Sequence, residues 1–440
     1  MPELSTASPF QDNGPAVPRH RVLLLTLTMT SSLGMVASTI YVPSIPAIAG
    51  AFETSIARVQ LTFVGYLLAF AASMLVLGPL SDRYGRRRTM ICGLALSSIA
   101  SIACAVSPTI DFLIAARVVQ GIGACAGLVV GRAITREIWG RQDAARVIAG
   151  RAIAATLMQA FAPVLGGYIQ GWFGWRTNFA VIAVLACIAM GLVTRFVPAG
   201  RTATSPSVRA GGILASYQTL IGTRRFLSYA FTAAGSHAGF HIFAAGAPAV
   251  LIVGFGIRPE DYGFYASLPP MGFLVGSFLS NRLTRRLGID GLITIGCTVL
   301  IPAASIMVTL ALLGVASPYA VIGPMILICC GSGLITPNAT AGSLGVNAGI
   351  VGTASGLGSF MQMTGAAGAT ALLSLGPSGS PLMLASIIAL VGLFAVTAFG
   401  SLIQLDHSDS FRRFTKPSGC AILVHGIGGQ GPWHSRYVWY

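Results

Sequence analysis

A short block of charge between two long apolar runs is the feature that most constrains the fold of this chain. The charges of the block lie between Asp82 and Arg88, and they comprise four arginines and one aspartate. The twenty residues from Leu61 to Leu80 carry no charge, and neither do those from Thr89 to Ile110. Each run is long enough to cross a bilayer as an α-helix. The pattern therefore predicts two membrane-spanning helices joined by a basic hairpin.

The composition extends this prediction to the whole chain. Of its 440 residues, 54% are hydrophobic and only 9% are charged. A soluble domain of this size could not keep so much apolar surface away from water, so we expect an all-α integral membrane protein in contact with the lipid bilayer. The net charge of +15 is then a sign of membrane topology, and nucleic acid is not an expected partner.

Twelve membrane spans are predicted, and they are numbered here in chain order. Their expected limits are 22–42, 57–80, 89–107, 110–130, 148–170, 177–197, 226–253, 263–281, 291–313, 318–336, 350–375 and 382–403. Most arginines fall in the loops on the side of the charged block, whereas the other side holds only Arg58, Arg176 and Arg258. Because basic loops stay in the cytoplasm, we expect both termini to be cytoplasmic.

The spans divide into two groups of six. The expected domains are a cytoplasmic tail, a first six-span half, a cytoplasmic linker, a second half and a disordered cytoplasmic tail, at 1–20, 21–197, 198–225, 226–404 and 405–440. A weak repeat relates the halves, because the block from Gly276 to Arg286 follows span 8 much as the first block follows span 2. The second block has Asn281 where the first has Asp82. Repeated halves around a central cavity are typical of transporters.

The first charged block resembles the signature loop between helices 2 and 3 of the major facilitator superfamily. The matching residues are Gly78, Leu80, Ser81, Asp82, Arg83, Gly85, Arg86 and Arg87. The resemblance implies the major facilitator fold, with two pseudo-symmetric halves, and a monomer that works by alternating access. It also implies that Asp82 faces the N-terminus of span 11, near 349–355, where a carboxylate meets the positive end of the helix dipole. That contact is expected to close the cytoplasmic gate.

Span 4 contains Arg117, about seven residues from its start. An arginine at that depth is costly and is a functional candidate by default. The sequence from Arg117 through Gln120 to Gly123 resembles the helix 4 motif of proton-coupled members of the superfamily. The alternative is that the Arg117 side chain extends to the membrane surface.

Span 5 contains Ala162, Pro163, Gly166 and Gly167. This arrangement resembles the helix 5 motif of drug:proton antiporters, which is associated with export, although Ala162 replaces a glycine of the motif. The alternative is ordinary packing of small residues against a neighbouring helix.

The end of span 1, from Ser38 to Pro46, resembles the bicyclomycin/chloramphenicol-resistance branch of these antiporters. That branch has an aspartate where this chain has Thr39, and no span has an acidic residue in its core. Arg117 therefore lacks an obvious carboxylate partner, and Thr39, Tyr41, Gln120 or the substrate could satisfy it. A positive cavity without acids is expected to favour neutral, zwitterionic or anionic compounds.

Because span 1 lacks the aspartate of that branch, another residue is needed to carry the proton. His237 and His241 in span 7 are four residues apart and lie on one helix face. Imidazole titrates near neutral pH, so these histidines are candidates for proton coupling. The alternative is that both only line the cavity.

The motifs together indicate an efflux pump of the bacterial inner membrane that exchanges protons for small-molecule drugs. The sequence contains no credible catalytic triad, phosphate-binding loop or metal cluster, so neither enzyme activity nor a cofactor is expected. Two alternatives remain: a uniporter or symporter of a small metabolite, and a homologue that does not transport.

Overall fold

The computed structural model describes residues 16–198, 210–346, 350–377 and 379–415. Long helices dominate the described chain. Those that carry the spans are Ala16–Thr39, Ile56–Tyr84, Arg86–Ala105, Ile110–Phe173, Trp175–Phe196, Arg224–Pro248, Pro259–Leu312, Pro318–Gly345, Val351–Leu373 and Pro381–Thr415.

The prediction of twelve spans in an all-helical membrane protein is confirmed. Among the described residues, ten helical segments are long and apolar enough to cross a membrane, with Ile110–Trp139 and Val147–Phe173 counted separately as spans 4 and 5. The segment Pro259–Leu312 holds both span 8 and span 9, because the backbone at Gly288 is not helical. Span 11, Val351–Leu373, completes the set, and its glycine, serine and threonine residues make it less apolar.

Glycines at two tight turns separate consecutive spans. Gly85 has a φ of 94° and lies between the end of span 2 at Tyr84 and the start of span 3 at Arg86. Gly288 has a φ of 70° between spans 8 and 9. Other residues rarely adopt a positive φ because their Cβ atom clashes with the backbone, so these glycines fix the two hairpins. We call the end of the bundle that carries both turns the basic end, and the opposite end the distal end.

The same close packing occurs in both halves of the chain. A Cβ built on Gly123 in span 4 would lie 2.5 Å from the carbonyl oxygen of Gly93 in span 3. A Cβ on Gly331 in span 10 would lie 2.8 Å from the carbonyl oxygen of Gly296 in span 9. Glycine pairs of this kind allow helix backbones to approach closely. The equivalent contacts in spans 3 and 4 and in spans 9 and 10 support the internal repeat.

The structure differs from the sequence prediction at three places. After span 1 the chain continues through a turn into a short helix, Ile45–Ala51, at the distal end. Part of the expected linker is the helix Ala210–Ile221, which packs on spans 7 and 11. Span 12 belongs to a helix that continues to Thr415, so the expected disordered tail from 405 begins as helix. Residues 416–440 lie outside the described residues.

Two compact units make up the chain. The first extends to Leu402 and contains the twelve spans, and the second begins at Ile403. The described part of the second unit is the end of the helix that reaches Thr415.

Candidate functional site

The side chain of Arg117 lies in an aromatic cage in the interior of the first half. Its guanidinium carbon is 4.2 Å from the centre of the Tyr66 ring, 4.4 Å from that of Tyr41 and 5.8 Å from that of Phe179. The residue is fully buried. The prediction that Arg117 extends inward is thus favoured over the alternative of a side chain at the membrane surface, and cation–π contacts stabilise the charge there.

Hydrogen bonds hold the cage in place. The Tyr41 hydroxyl pairs with the Thr62 hydroxyl at 2.8 Å. The Tyr66 hydroxyl donates to the carbonyl oxygen of Gly34 at 2.6 Å. These bonds fix two rings from spans 1 and 2 on the guanidinium of span 4, so the cage connects three helices of one half.

Polar contacts satisfy only part of the guanidinium. Arg117 Nη1 donates to the carbonyl oxygen of Ala37 at 3.1 Å and to the side-chain oxygen of Gln120. Gln120 in turn donates to the Ser101 hydroxyl at 2.7 Å. Arg117 Nε and Nη2 are buried without a hydrogen-bond partner. Among the described residues, none of the recorded ion pairs includes Arg117, and the nearby Asp111 pairs instead with Arg58 at 2.8 Å.

Thr39 does not serve as the partner of Arg117 that the sequence suggested. Its hydroxyl contacts the carbonyl oxygen of Met35 at 3.3 Å and that of Gln159 at 3.5 Å. Thr39 instead lines a small cavity between the halves. The candidates Tyr41 and Gln120 both contact Arg117, one through its ring and the other through its amide oxygen.

His237 and His241 share one face of span 7, as their spacing predicts. Their ring centres are 4.8 Å apart. His241 is buried, and its ring centre lies 6.2 Å from that of Phe63 in span 2 of the other half. His241 Nε2 has no hydrogen-bond partner. The pair is therefore located where the two halves meet.

The charged block forms a network at the basic end. Arg86 pairs with Asp82 at 2.5 Å and with Glu137 at 2.8 Å, and it donates to the Ser81 hydroxyl at 2.5 Å. Arg83 stacks on Tyr84, with its guanidinium carbon 5.4 Å from the ring centre. The network ties the turn after span 2 to the end of span 4.

Asp82 lies at the end of span 2, where the sequence predicts a contact with the N-terminus of span 11. The Asp82 side chain is 59% exposed and pairs with Arg86. A Cβ built on Gly78 or on Gly352 in span 11 would meet no atom within 4 Å. Residues 347–349, next to the start of span 11, lie outside the described residues, so the predicted gate contact stays a prediction.

The span 5 motif packs tightly at the distal end. A Cβ built on Gly167 would lie 2.3 Å from the carbonyl oxygen of Pro259 at the start of span 8. A Cβ on Gly263 in span 8 would lie 2.6 Å from the carbonyl oxygen of Pro163. Gly166 faces span 1 of its own half, where its Cβ would be 1.7 Å from the carbonyl oxygen of Ile40.

A polar contact in the same region also joins the halves, because Gln60 Nε2 donates to the carbonyl oxygen of Ala245 at 3.1 Å. Together with the span 5 packing, this contact closes the distal end. The two halves are therefore closely packed at the distal end.

Sequence reasoning missed a second buried arginine. The sequence places Arg151 near the start of span 5, among the basic residues of the cytoplasmic side, but the residue is 4% exposed and bonds to spans 1 and 4. Its nitrogens donate to the carbonyl oxygens of Gly131 and Leu27, at 2.8 and 2.7 Å, and to the hydroxyls of Thr135 and Ser31. The serine and threonine residues on the facing helices are the only sequence signal that could have indicated these hydrogen bonds of Arg151.

Twelve spans in two packed halves, with a buried cation inside the first half, are the architecture of a membrane transporter. A model of the Major Facilitator Superfamily matches residues 27–370, so the chain belongs to that family. Its members are transporters, not enzymes.

Comparisons with single proteins agree with this family. The chain is 27% identical to Multidrug resistance protein D of Escherichia coli strain K12, over 86% of this chain and 95% of that protein. It is 26% identical to the Chloramphenicol resistance protein of Pseudomonas aeruginosa, over 73% of this chain and 76% of that protein. The crystal structure of the nucleoside transporter NupG matches the fold with a TM-score of 0.69 at 12% identity, over 87% of this chain and 99% of that one.

Proposed function

We propose that this chain is a drug:proton antiporter of the bicyclomycin/chloramphenicol-resistance type. It exports small neutral, zwitterionic or anionic compounds and works as a monomer in the bacterial inner membrane. The observation that carries the proposal is the fully buried Arg117, which rests on two tyrosine rings and has no carboxylate in its described contacts. An isolated cation inside a membrane protein marks a substrate or proton pathway.

The direction of transport follows from span 5. The motif from Pro163 to Gly167 packs against span 8 of the other half and supports closure of the distal end. Such a motif is associated with exporters, and relatives of this chain carry the names Multidrug resistance protein D and Chloramphenicol resistance protein. Both features favour export over uptake.

The charge preference follows from the first half. Arg117 and Arg151 place two guanidinium groups in its interior, and the described hydrogen bonds of both go to neutral acceptors. A positive charge in a low-dielectric interior acts over a longer distance than one in water. A cationic drug would be repelled, whereas a neutral compound would not and an anionic one would be attracted.

The proton carrier in this proposal is the pair His237 and His241. Both residues lie where spans 2 and 7 meet, and His241 Nε2 is without a protein partner. Protonation of His241 places charge beside Phe63 and Phe240, whose ring centres lie 6.2 and 5.4 Å from that of His241. A change of charge at this contact therefore changes the stability of the closed distal end. Inward movement of one proton across 100 mV supplies about 2.3 kcal/mol.

Alternating access completes the mechanism. The positive-inside rule assigns the basic end, and with it both termini, to the cytoplasm. In the proposed cycle we assign this conformation, in which Asp82 pairs with Arg86 and the distal end is closely packed, to the inward-open state. In the outward-open state Asp82 moves to the N-terminus of span 11, where free N–H groups and the helix dipole stabilise its charge.

Inverted membrane vesicles test the proposal. Vesicles that express the chain are energised with a respiratory substrate, and a fluorescent dye reports their internal pH as neutral, anionic and cationic drugs are added. Antiport predicts proton release with neutral or anionic drugs, and none in vesicles with Arg117→Gln. Drug movement without proton movement would instead favour a uniporter. Absence of any drug movement would favour a homologue that does not transport.

A further inference from the structure

A small cavity lies between the two halves, next to the closed distal end. The free space inside it is about enough for one water-sized group. Its walls come from spans 1 and 5 of the first half and spans 7 and 8 of the second. The main lining residues are Thr39, Gln159, Pro163, Phe240, Phe243 and Tyr262. None of these side chains is charged, and two of them are aromatic rings from span 7.

Tyr262 is the unusual member of this lining. Its side chain is fully buried, and its hydroxyl has no hydrogen-bond partner. Buried hydroxyl groups are nearly always paired, because an unpaired one loses its bonds to water without compensation. The neighbouring Gly263 is packed against Val164, with 2.4 Å between its built Cβ and the Val164 Cα. The tyrosine is therefore held in position with a free hydroxyl at the cavity.

We infer that the cavity binds an uncharged, hydrogen-bond-accepting group of the exported compound, and that the Tyr262 hydroxyl donates to it. This inference rests on the proposed export function and names the chemistry that the transporter recognises. A carbonyl, nitro or ether oxygen satisfies the hydroxyl, while the rings of Phe240 and Phe243 cover the apolar part beside it. A charged group finds no counter-charge in this lining.

The size of the cavity restricts what enters. Whole drugs occupy pockets of about 300–1,000 Å³, whereas this cavity has room for about one water-sized group, so it takes a single acceptor oxygen of the compound and not the whole molecule. Since Thr39 and Tyr262 belong to different halves, the cavity changes shape when the halves move. The hydrogen bond from Tyr262 to the compound is therefore expected to differ between the inward-open and outward-open states.

The substitution Tyr262→Phe tests the inference, because it removes the hydroxyl and keeps the ring. Tyr265→Phe is the matched control, since Tyr265 lies one turn away and packs on Tyr319, with 6.1 Å between the ring centres. Chloramphenicol, which is uncharged and has amide and nitro oxygens, is the probe, and ethidium is the cationic comparison. Binding to the purified full-length chain is measured by the shift of its melting temperature with probe concentration.

We expect Tyr262→Phe to weaken chloramphenicol binding about three- to tenfold, the loss of one neutral hydrogen bond. Its melting temperature without probe should be equal to or above that of the wild type, because a buried unpaired hydroxyl is gone. Tyr265→Phe should bind like the wild type. Equal binding by Tyr262→Phe and the wild type overturns the inference, and so does a wild type that chloramphenicol does not stabilise.

A transport assay distinguishes a failure of the inferred Tyr262 contact from a failure of the proposed antiport. If wild-type and Tyr262→Phe vesicles release protons with the same dependence on chloramphenicol concentration, antiport stands and the role of Tyr262 is overturned. Vesicles that release protons only with ethidium overturn the inferred chemistry of the cavity while antiport stands.

Discussion

The guanidinium of Arg117 lies 4.2 Å from the centre of the Tyr66 ring, and the hydroxyl of that tyrosine donates to the backbone of span 1 at Gly34. The arginine on span 4 is therefore connected to spans 1 and 2 through a ring and not through a carboxylate. A planar, delocalised cation suits this arrangement better than a compact ammonium group.

Replacement of Arg117 by lysine should abolish most transport although the charge remains. The lysine cannot stack on both Tyr41 and Tyr66, so we expect transport to fall by about tenfold or more, the effect of roughly 1.4 kcal/mol. Drug-dependent proton release in vesicles measures this loss. Arg176→Lys is the control, because Arg176 also stacks on a ring, that of Trp175 at 4.2 Å, but is exposed. Equal losses in both variants would contradict a special role for Arg117.

A methyl group at Gly263 should open the distal end. Its Cβ would lie 2.4 Å from the Cα of Val164, so Gly263→Ala must push spans 5 and 8 apart. We expect a shift of the population toward the outward-open state and slower turnover. Distances between spin labels across the distal end measure the shift. Gly323→Ala in span 10 is the control, since its Cβ meets no atom within 4 Å. Unchanged label distances in Gly263→Ala would contradict the role of this contact in holding the distal end closed.

Asp82→Asn should shift the population in the opposite direction. The amide loses the charge that stabilises the contact with span 11 in the outward-open state, so the inward-open state gains population and turnover falls. Folding should be retained, because Asp82 is 59% exposed here. Labels across the basic end report the shift, with Asp111→Asn in the exposed pair with Arg58 as the control. Wild-type turnover in Asp82→Asn would exclude the gating role.

Removal of both histidines of span 7 should separate drug movement from proton movement. In the double variant His237→Ala, His241→Ala we expect proton-driven export to be lost, while exchange of labelled for unlabelled drug continues without a proton gradient. The exchange assay is the internal control, since it requires folding and binding but no coupling. Full proton-linked transport by the double variant would eliminate the histidines as carriers.

Arg151 should contribute to stability. Its nitrogens bond to two carbonyl oxygens and two hydroxyls on spans 1 and 4, so Arg151→Met leaves these groups without their donor. Each bond to a charged group contributes about 1.5–3 kcal/mol, and we expect a melting temperature in detergent that is several degrees lower. The exposed Arg136→Met is the control. An unchanged melting temperature in Arg151→Met would contradict a stabilising role for the hydrogen bonds of Arg151.

The sequence predicts the spans well because few backbone conformations are possible inside a lipid bilayer. A run without charge must be helical in a bilayer, since each backbone group has to be bonded within its own segment. The twelve spans follow from this rule, and Gly85 follows from the need for a positive φ between two helices. The short helix Ile45–Ala51 was missed because seven residues give too weak a periodic signal.

The details of the site depend on contacts that no local pattern contains. Arg117 and its partner Tyr41 were candidates from the sequence, but Tyr66 lies on another span, and no local pattern relates it to Arg117. Arg151 was counted with the basic residues of the cytoplasmic side because Arg141 and Arg146 precede it. The partner of Asp82 depends on the conformational state, which a sequence does not specify. Tyr262 became a candidate only when its hydroxyl proved to lie unpaired at a cavity.

The most direct test of antiport uses the purified chain in liposomes with an imposed pH gradient and an uncharged drug, chloramphenicol. Antiport predicts that the drug accumulates against its concentration gradient on the side with more protons. The ratio of drug concentrations should rise with the pH difference, and a protonophore should abolish it. Equal drug concentrations on both sides at every pH difference, reached faster than in empty liposomes, would contradict antiport and identify a uniporter.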